Sequence, residues 1–103
     1  MTRDVKFEFL GFDPDERIRY FVSTVAETIH FSAPSDSTLK IVVEKSRDTI
    51  LASCRIVSQS GTFVADAISD NPVKAIQLIE KKIREQLDSW KRHRFEKKVT
   101  AKS

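Results

Sequence analysis

NPVKAIQLIEKKIREQLDSW, residues 71–90, is the longest periodic segment of the chain. Ile76, Ile79, Ile83, Leu87 and Trp90 recur at spacings of three and four, which at 3.6 residues per turn places them on one face of a helix. Asn71 followed by Pro72 supplies the start. An Asn side chain accepts from the free amides of a first turn, and a proline at the first helical position has no amide to leave unpaired. The stripe breaks at Arg94, where the next apolar residue should fall. An unpaired arginine is costly to bury, so the helix is expected to leave the core after Trp90 and project its last turn into solvent.

Upstream of this helix the period changes from 3.6 to 2. Phe63, Ala65 and Ala67 alternate with Val64, Asp66 and Ile68, and the two small alanines would let a helix pack closely. Ser58-Gln59-Ser60-Gly61 is a turn, preceded by a run from Thr49 to Gln59 with Ile50, Ala52, Cys54 and Ile56 on one face. Lys45-Ser46-Arg47-Asp48 is another turn, and Leu39, Ile41 and Val43 form the inward side of the strand before it. A first helix carries Ile18, Phe21, Val22, Val25 and Ile29 and is expected to end near His30, with Asp13 as its cap and Pro14 as its first residue. Residues from about 4 to 10 place Val5, Phe7 and Phe9 on one face of an opening strand. The order βαβββα defines an α+β domain: a four-stranded, mainly antiparallel sheet with two helices packed on one face and the other face open.

At 103 residues and 40% apolar content the chain is one folded domain with a modest core. No stretch approaches the roughly 20 apolar residues of a membrane helix. Met1-Thr2-Arg3-Asp4 leads into charged residues rather than the apolar core of a secretory signal, so a cytoplasmic location is expected. Cys54 is the single cysteine, which excludes an internal disulfide, and its alternating apolar setting reads as a buried small hydrophobe. Two histidines at distant helix ends and no glycine-rich phosphate loop leave no catalytic constellation, no metal set, no cofactor site and no small-molecule substrate to expect. The net charge of +3 hides an imbalance, because Lys91 to Ser103 holds six Lys or Arg against Glu96 alone. A terminal basic block of this kind suits a polyanionic partner.

Ala75-Ile76-x-x-Ile79, Lys82-Ile83-x-x-Gln86-Leu87 and Lys91 resemble the second-helix pattern of the ribosome hibernation-promoting factors, the ribosome-associated inhibitor family of bacteria and plastids. Ile18-Arg19-x-Phe21-Val22 and Val43-Glu44-Lys45 look like that family as well, and the likeness runs from about Asp4 to Phe95. The resemblance implies a ribosome-binding domain over residues 1–95 followed by a flexible basic tail over 96–103. It also implies binding to the small ribosomal subunit through its rRNA, in the channel where mRNA and tRNA would sit, with translation inhibited and ribosomes stored under stress. Lys82 and Lys91 fall on positions where the family pattern is basic, and Arg19 is a third. Lys74, Lys81 and Arg92 lie opposite the core stripe, and Arg84 flanks it with Lys82 and Lys91, so that charge alone nominates Lys74, Lys81, Arg84, Arg92 and Arg94 as further RNA contacts.

Departures from the family pattern matter too. Gln77 stands where an acid is usual, and Val25, Glu27 and Thr28 replace lysines on the first helix, which lowers the positive charge of one of two helices expected to face RNA. The chain resembles the short members, without their relatives' second, dimerising domain, and its oligomeric state is left open. Trp90 belongs to the apolar stripe and reads as core, whereas Phe95, among Lys and Arg, is the better candidate for stacking on a base. Two other functions fit the same elements: a double-stranded RNA-binding module, or a protein-interaction domain using the open sheet face with Lys40, Val42, Arg55 and Val57.

Overall fold

The computed structural model describes the backbone of residues 5–102 and the side chains of 5–93. Six elements follow one another: β1 (Val5–Leu10), α1 (Glu16–Ser32), β2 (Thr38–Ser46), β3 (Thr49–Ser58), β4 (Gly61–Ser69) and α2 (Pro72–Lys102). The strands form one sheet in the order β1-β2-β3-β4. β1 runs parallel to β2, while β2–β3 and β3–β4 are antiparallel hairpins. Parallel neighbours need a crossover, and α1 provides it. The expected α+β architecture with both helices on one face is the one observed.

The core lies between that face and the helices. Leu39, Ile41 and Val43 of β2, Ile50, Ala52, Cys54 and Ile56 of β3, and Phe63, Ala65 and Ala67 of β4 point inward and are buried. They meet Val22, Val25, Ala26 and Ile29 of α1 and Ala75, Ile76, Ile79, Ile83 and Leu87 of α2. α2 packs over β4 and β3, where the alanines are, and α1 packs over β1 and β2. Small side chains beneath α2 let its four large aliphatics reach the sheet, each contributing about 1.5–3 kcal/mol by leaving water. Cys54 is 1% exposed, as its alternation predicts, and burial pushes its thiol up to about 12. β1 is an edge strand and only partly covered: Val5 and Phe9 are half-buried, but Phe7, expected on the same inward face, is 38% exposed.

The helix starts separate one correct expectation from one that needs correcting. The Asn71 side-chain oxygen accepts from Val73 N–H at 2.8 Å and Lys74 N–H at 3.4 Å, the capping role its sequence position implies. On α1 the cap is Asp15, not Asp13, and the helix starts at Glu16, two residues after Pro14. Asp15 Oδ1 accepts from Ile18 N–H at 3.0 Å. Asp13 is freed for an ion pair with Arg19 at 2.9 Å. α1 also runs two residues past His30, whose Nε2 bonds the Ser37 carbonyl oxygen of the following loop at 3.0 Å. Gly11 closes the β1–α1 connection at φ 82°, where a Cβ would run into the Lys45 carbonyl oxygen.

Candidate nucleic-acid interface

The length mismatch between α2 and the sheet shapes the candidate interface. β4 has nine residues, about 30 Å of strand. α2 starts at the far end of β4 and runs back along it, so Trp90 stands about 27 Å beyond Pro72, level with the start of β4. There Trp90 meets Phe63 edge to face, ring centroids 6.1 Å apart, and is half-buried as the last member of the stripe. All helix beyond it overshoots the sheet. Lys91, Arg92 and His93 are accordingly exposed, and the helical backbone continues to Lys102, past the boundary at 95 drawn from the sequence.

Packing divides the candidate cations into engaged and free. Lys82 Nζ donates to the Asp66 carbonyl oxygen at 2.6 Å. Beside it Gln86 makes a two-point contact with Val64: its Nε2 donates to the Val64 carbonyl at 2.6 Å, and its Oε1 accepts the Val64 N–H at 3.3 Å. β4 is the outer strand of the sheet, so these side chains satisfy outward-facing backbone groups that would otherwise invite another strand. The charge of Lys82 is thus tied to the protein's own edge. Arg84 pairs with Glu80 at 2.9 Å one turn earlier. Arg19 bonds Asp13 at 2.9 Å and the Pro14 carbonyl at 3.3 Å, and lies over the Phe9 ring at 5.5 Å, which makes it a clamp for the start of α1.

Lys74, Lys81, Lys91 and Arg92 are exposed and have no acid within 4.0 Å among the described residues. They are not evenly spread. From Pro72 to Trp90 four cations face three acids, Glu80, Glu85 and Asp88, and the last two interrupt the outward face between Lys81 and Arg92. After Trp90 only one acid remains against six cations. The positive charge of the sequence therefore concentrates beyond Trp90. The Arg94 and Phe95 side chains lie outside the described ones. His93 folds back on its own helix, Nδ1 at 2.8 Å from the Ser89 carbonyl oxygen.

The face of α1 turned to solvent carries Tyr20, 75% exposed, and Phe31, 91% exposed, with Thr24 and Glu27 between them and no lysine. Gln86 entered the sequence reading only as a member of the second-helix pattern and was given no role, although its position one turn after Lys82 on the same flank is a signal for a pair reaching one strand edge. Among the described residues no three His, Cys, Asp or Glu side chains converge to hold a metal, and no helix is long and apolar enough to cross a membrane.

No protein-family model matches the chain, and no curated protein matches it in sequence. Its fold is shared with solved structures. A ribosomal subunit interface protein from Coxiella burnetii superimposes with a TM-score of 0.70 at 19% identity, over 84% of this chain and 96% of that one. The N-terminal domain of Protein Y from Thermus thermophilus superimposes with a TM-score of 0.62 at 12% identity, over 85% of this chain and 94% of that one. At these identities the likeness defines a fold class, that of a compact βαβββα domain, and it agrees with the family resemblance seen in the sequence.

Proposed function

We propose that this protein is a ribosome-associated translation inhibitor of the hibernation-factor kind, binding the small ribosomal subunit in the mRNA–tRNA channel through its rRNA. It acts in the cytoplasm as a binding protein and catalyses no reaction. The observation that carries this reading is the exposed pair Lys91 and Arg92 at the overshooting end of α2, with no acid within 4.0 Å among the described residues, on a fold shared with a ribosomal subunit interface protein. Cations on a rigid helix meet several phosphates at once, and each counterion released adds to affinity. Lys91 and Arg92 are the leading contacts, supported by Lys74 and Lys81. Lys82, Arg84 and Arg19 hold the scaffold that presents them.

The test is sedimentation of purified small subunits with the protein across a salt series, comparing wild type with Lys91→Glu/Arg92→Glu. The wild type pellets at moderate salt and is released steeply as salt rises. The double variant stays in the supernatant. A wild type that never pellets at low salt overturns the reading, and a shift of duplex RNA by that same protein would identify a double-stranded RNA module instead.

A further inference from the structure

The strand register sets three cations side by side on the open face of the sheet. Lys6 stands opposite Lys40 in the parallel β1–β2 pair, and Lys40 stands opposite Arg55 in the antiparallel β2–β3 pair. All three are exposed. Neighbouring strands are about 4.8 Å apart, so three positive charges are rooted within about 10 Å. Like charges directly opposite one another disfavour pairing. Glu8 offsets one of them, its Oε1 lying 3.6 Å from Lys40 Nζ, whereas Lys6 and Arg55 have no acid within 4.0 Å among the described residues. Among the described residues the other acids of this face, Asp66 and Glu44, stand in other rows, opposite Ser53 and Leu51. Lys6, Lys40 and Arg55, with Thr38 and Val57, frame a shallow concavity.

The position of this row gives it meaning. It lies near the end of the sheet where Thr38 begins β2 and Ser58 ends β3. At that same end Lys91 lines a hollow with Ser60, Ser35 and Asp36. The cation row and the basic end of α2 thus flank the β3–β4 turn from the two faces of the domain. Asp36 is the acid between them, and its carboxylate already accepts the Gln59 N–H at 2.8 Å. Thr38 and Thr62, in the row one step further out, add hydroxyls of the kind that bind phosphate oxygens.

We infer that Lys6, Lys40 and Arg55 form a second phosphate-binding surface, which takes the backbone of an RNA strand passing from the end of α2 around the β3–β4 turn. The inference rests on the RNA-binding reading above and extends it to the opposite face. Continuity with the α2 cations favours a long polyanion over an acidic peptide, because one chain must serve both faces.

The probe is a fluorescein-labelled single-stranded oligouridylate, with binding followed by anisotropy across a salt series and poly-glutamate as competitor. Lys6→Gln/Lys40→Gln/Arg55→Gln is expected to weaken binding and to lower the slope of log affinity against log salt by about 2, since each single-strand phosphate contact contributes about 0.7. Its melting temperature should equal or exceed that of the wild type, because the like-charge row is relieved, which separates lost binding from lost folding. Lys91→Gln/Arg92→Gln should lower the slope separately, and the combined variant should show both losses. A triple variant with wild-type affinity and slope overturns the second surface and leaves the α2 reading intact. A wild type that ignores the RNA at low salt overturns both. Poly-glutamate that displaces the RNA from the wild type, and binds more tightly than it through Lys6, Lys40 and Arg55, overturns the RNA assignment in favour of an acidic protein.

Discussion

Gln86→Ala isolates the contact by which α2 seals the outer strand. The substitution removes both hydrogen bonds to Val64 while leaving every core residue of the stripe in place. Each such bond contributes about 0.5–1.5 kcal/mol net, so the two together are expected to contribute about 1–2 kcal/mol at this exposed edge. Alanine is also the better helix former, which returns a few tenths of a kcal/mol and would mask part of the loss. Gln77→Ala corrects for this, because Gln77 lies exposed on the same helix and its side chain makes no hydrogen bond among the described residues. In a domain of this size 1 kcal/mol shifts the melting temperature by about 4–8 °C. Gln86→Ala should therefore melt at least several degrees below Gln77→Ala. It should also begin to associate with rising concentration, read by light scattering after size exclusion, because the freed Val64 backbone can pair with a second edge. Equal melting temperatures for the two variants, with both remaining unassociated, would refute the account of Gln86 as an edge seal.

Two further outcomes follow from the backbone and the core. Gly11→Ala combines a left-handed φ of 82° with a collision against the Lys45 carbonyl, so a destabilisation of about 1–3 kcal/mol or more is expected. Gly61→Ala, at φ 140° but with open space around it, reports strain alone and should cost less in the same denaturant titration; the reverse order would contradict the packing at Gly11. Cys54 should resist iodoacetamide in the native protein at mildly alkaline pH and react once guanidinium unfolds it. Its thiol titrates at about 12 in the fold against 9.0 ordinarily, so the unfolded chain loses that proton first and the thiol's contribution to stability, complete below pH 9, declines as pH rises toward 12. Rapid alkylation of the folded protein would show that Cys54 is not buried.

The two apolar stripes, the strand alternation and the cap at Asn71 were all legible in the sequence, because each depends on neighbours within a few positions. A period of 3.6 or 2 reports directly which side chains share a face, and the side chain of Asn71 reaches amides only two and three residues ahead. The α1 cap was misplaced by two residues for the same local reason. Asp13-Pro14 matches the cap-plus-proline pattern, but it is Asp15 whose side chain caps the first turn, while Asp13 bonds Arg19 from outside the helix. The break of the stripe at Arg94 announced that the helix would leave the core after Trp90.

Which cations are free could not be read from periodicity. Lys82 flanks the core stripe by helical phase, yet the sixteen-residue return from β4 brings it to the Asp66 carbonyl and engages it there. Lys6 and Lys40 are 34 positions apart, and only the parallel pairing of β1 with β2, set by the crossover of α1, puts them opposite each other and completes the row with Arg55. The sequence by itself determined the elements, their buried faces and the uneven charge of the chain, since those follow from residue type and local spacing. Tertiary structure alone decided which charges face outward unpaired, because pairing is a matter of distance between segments and no local pattern encodes it.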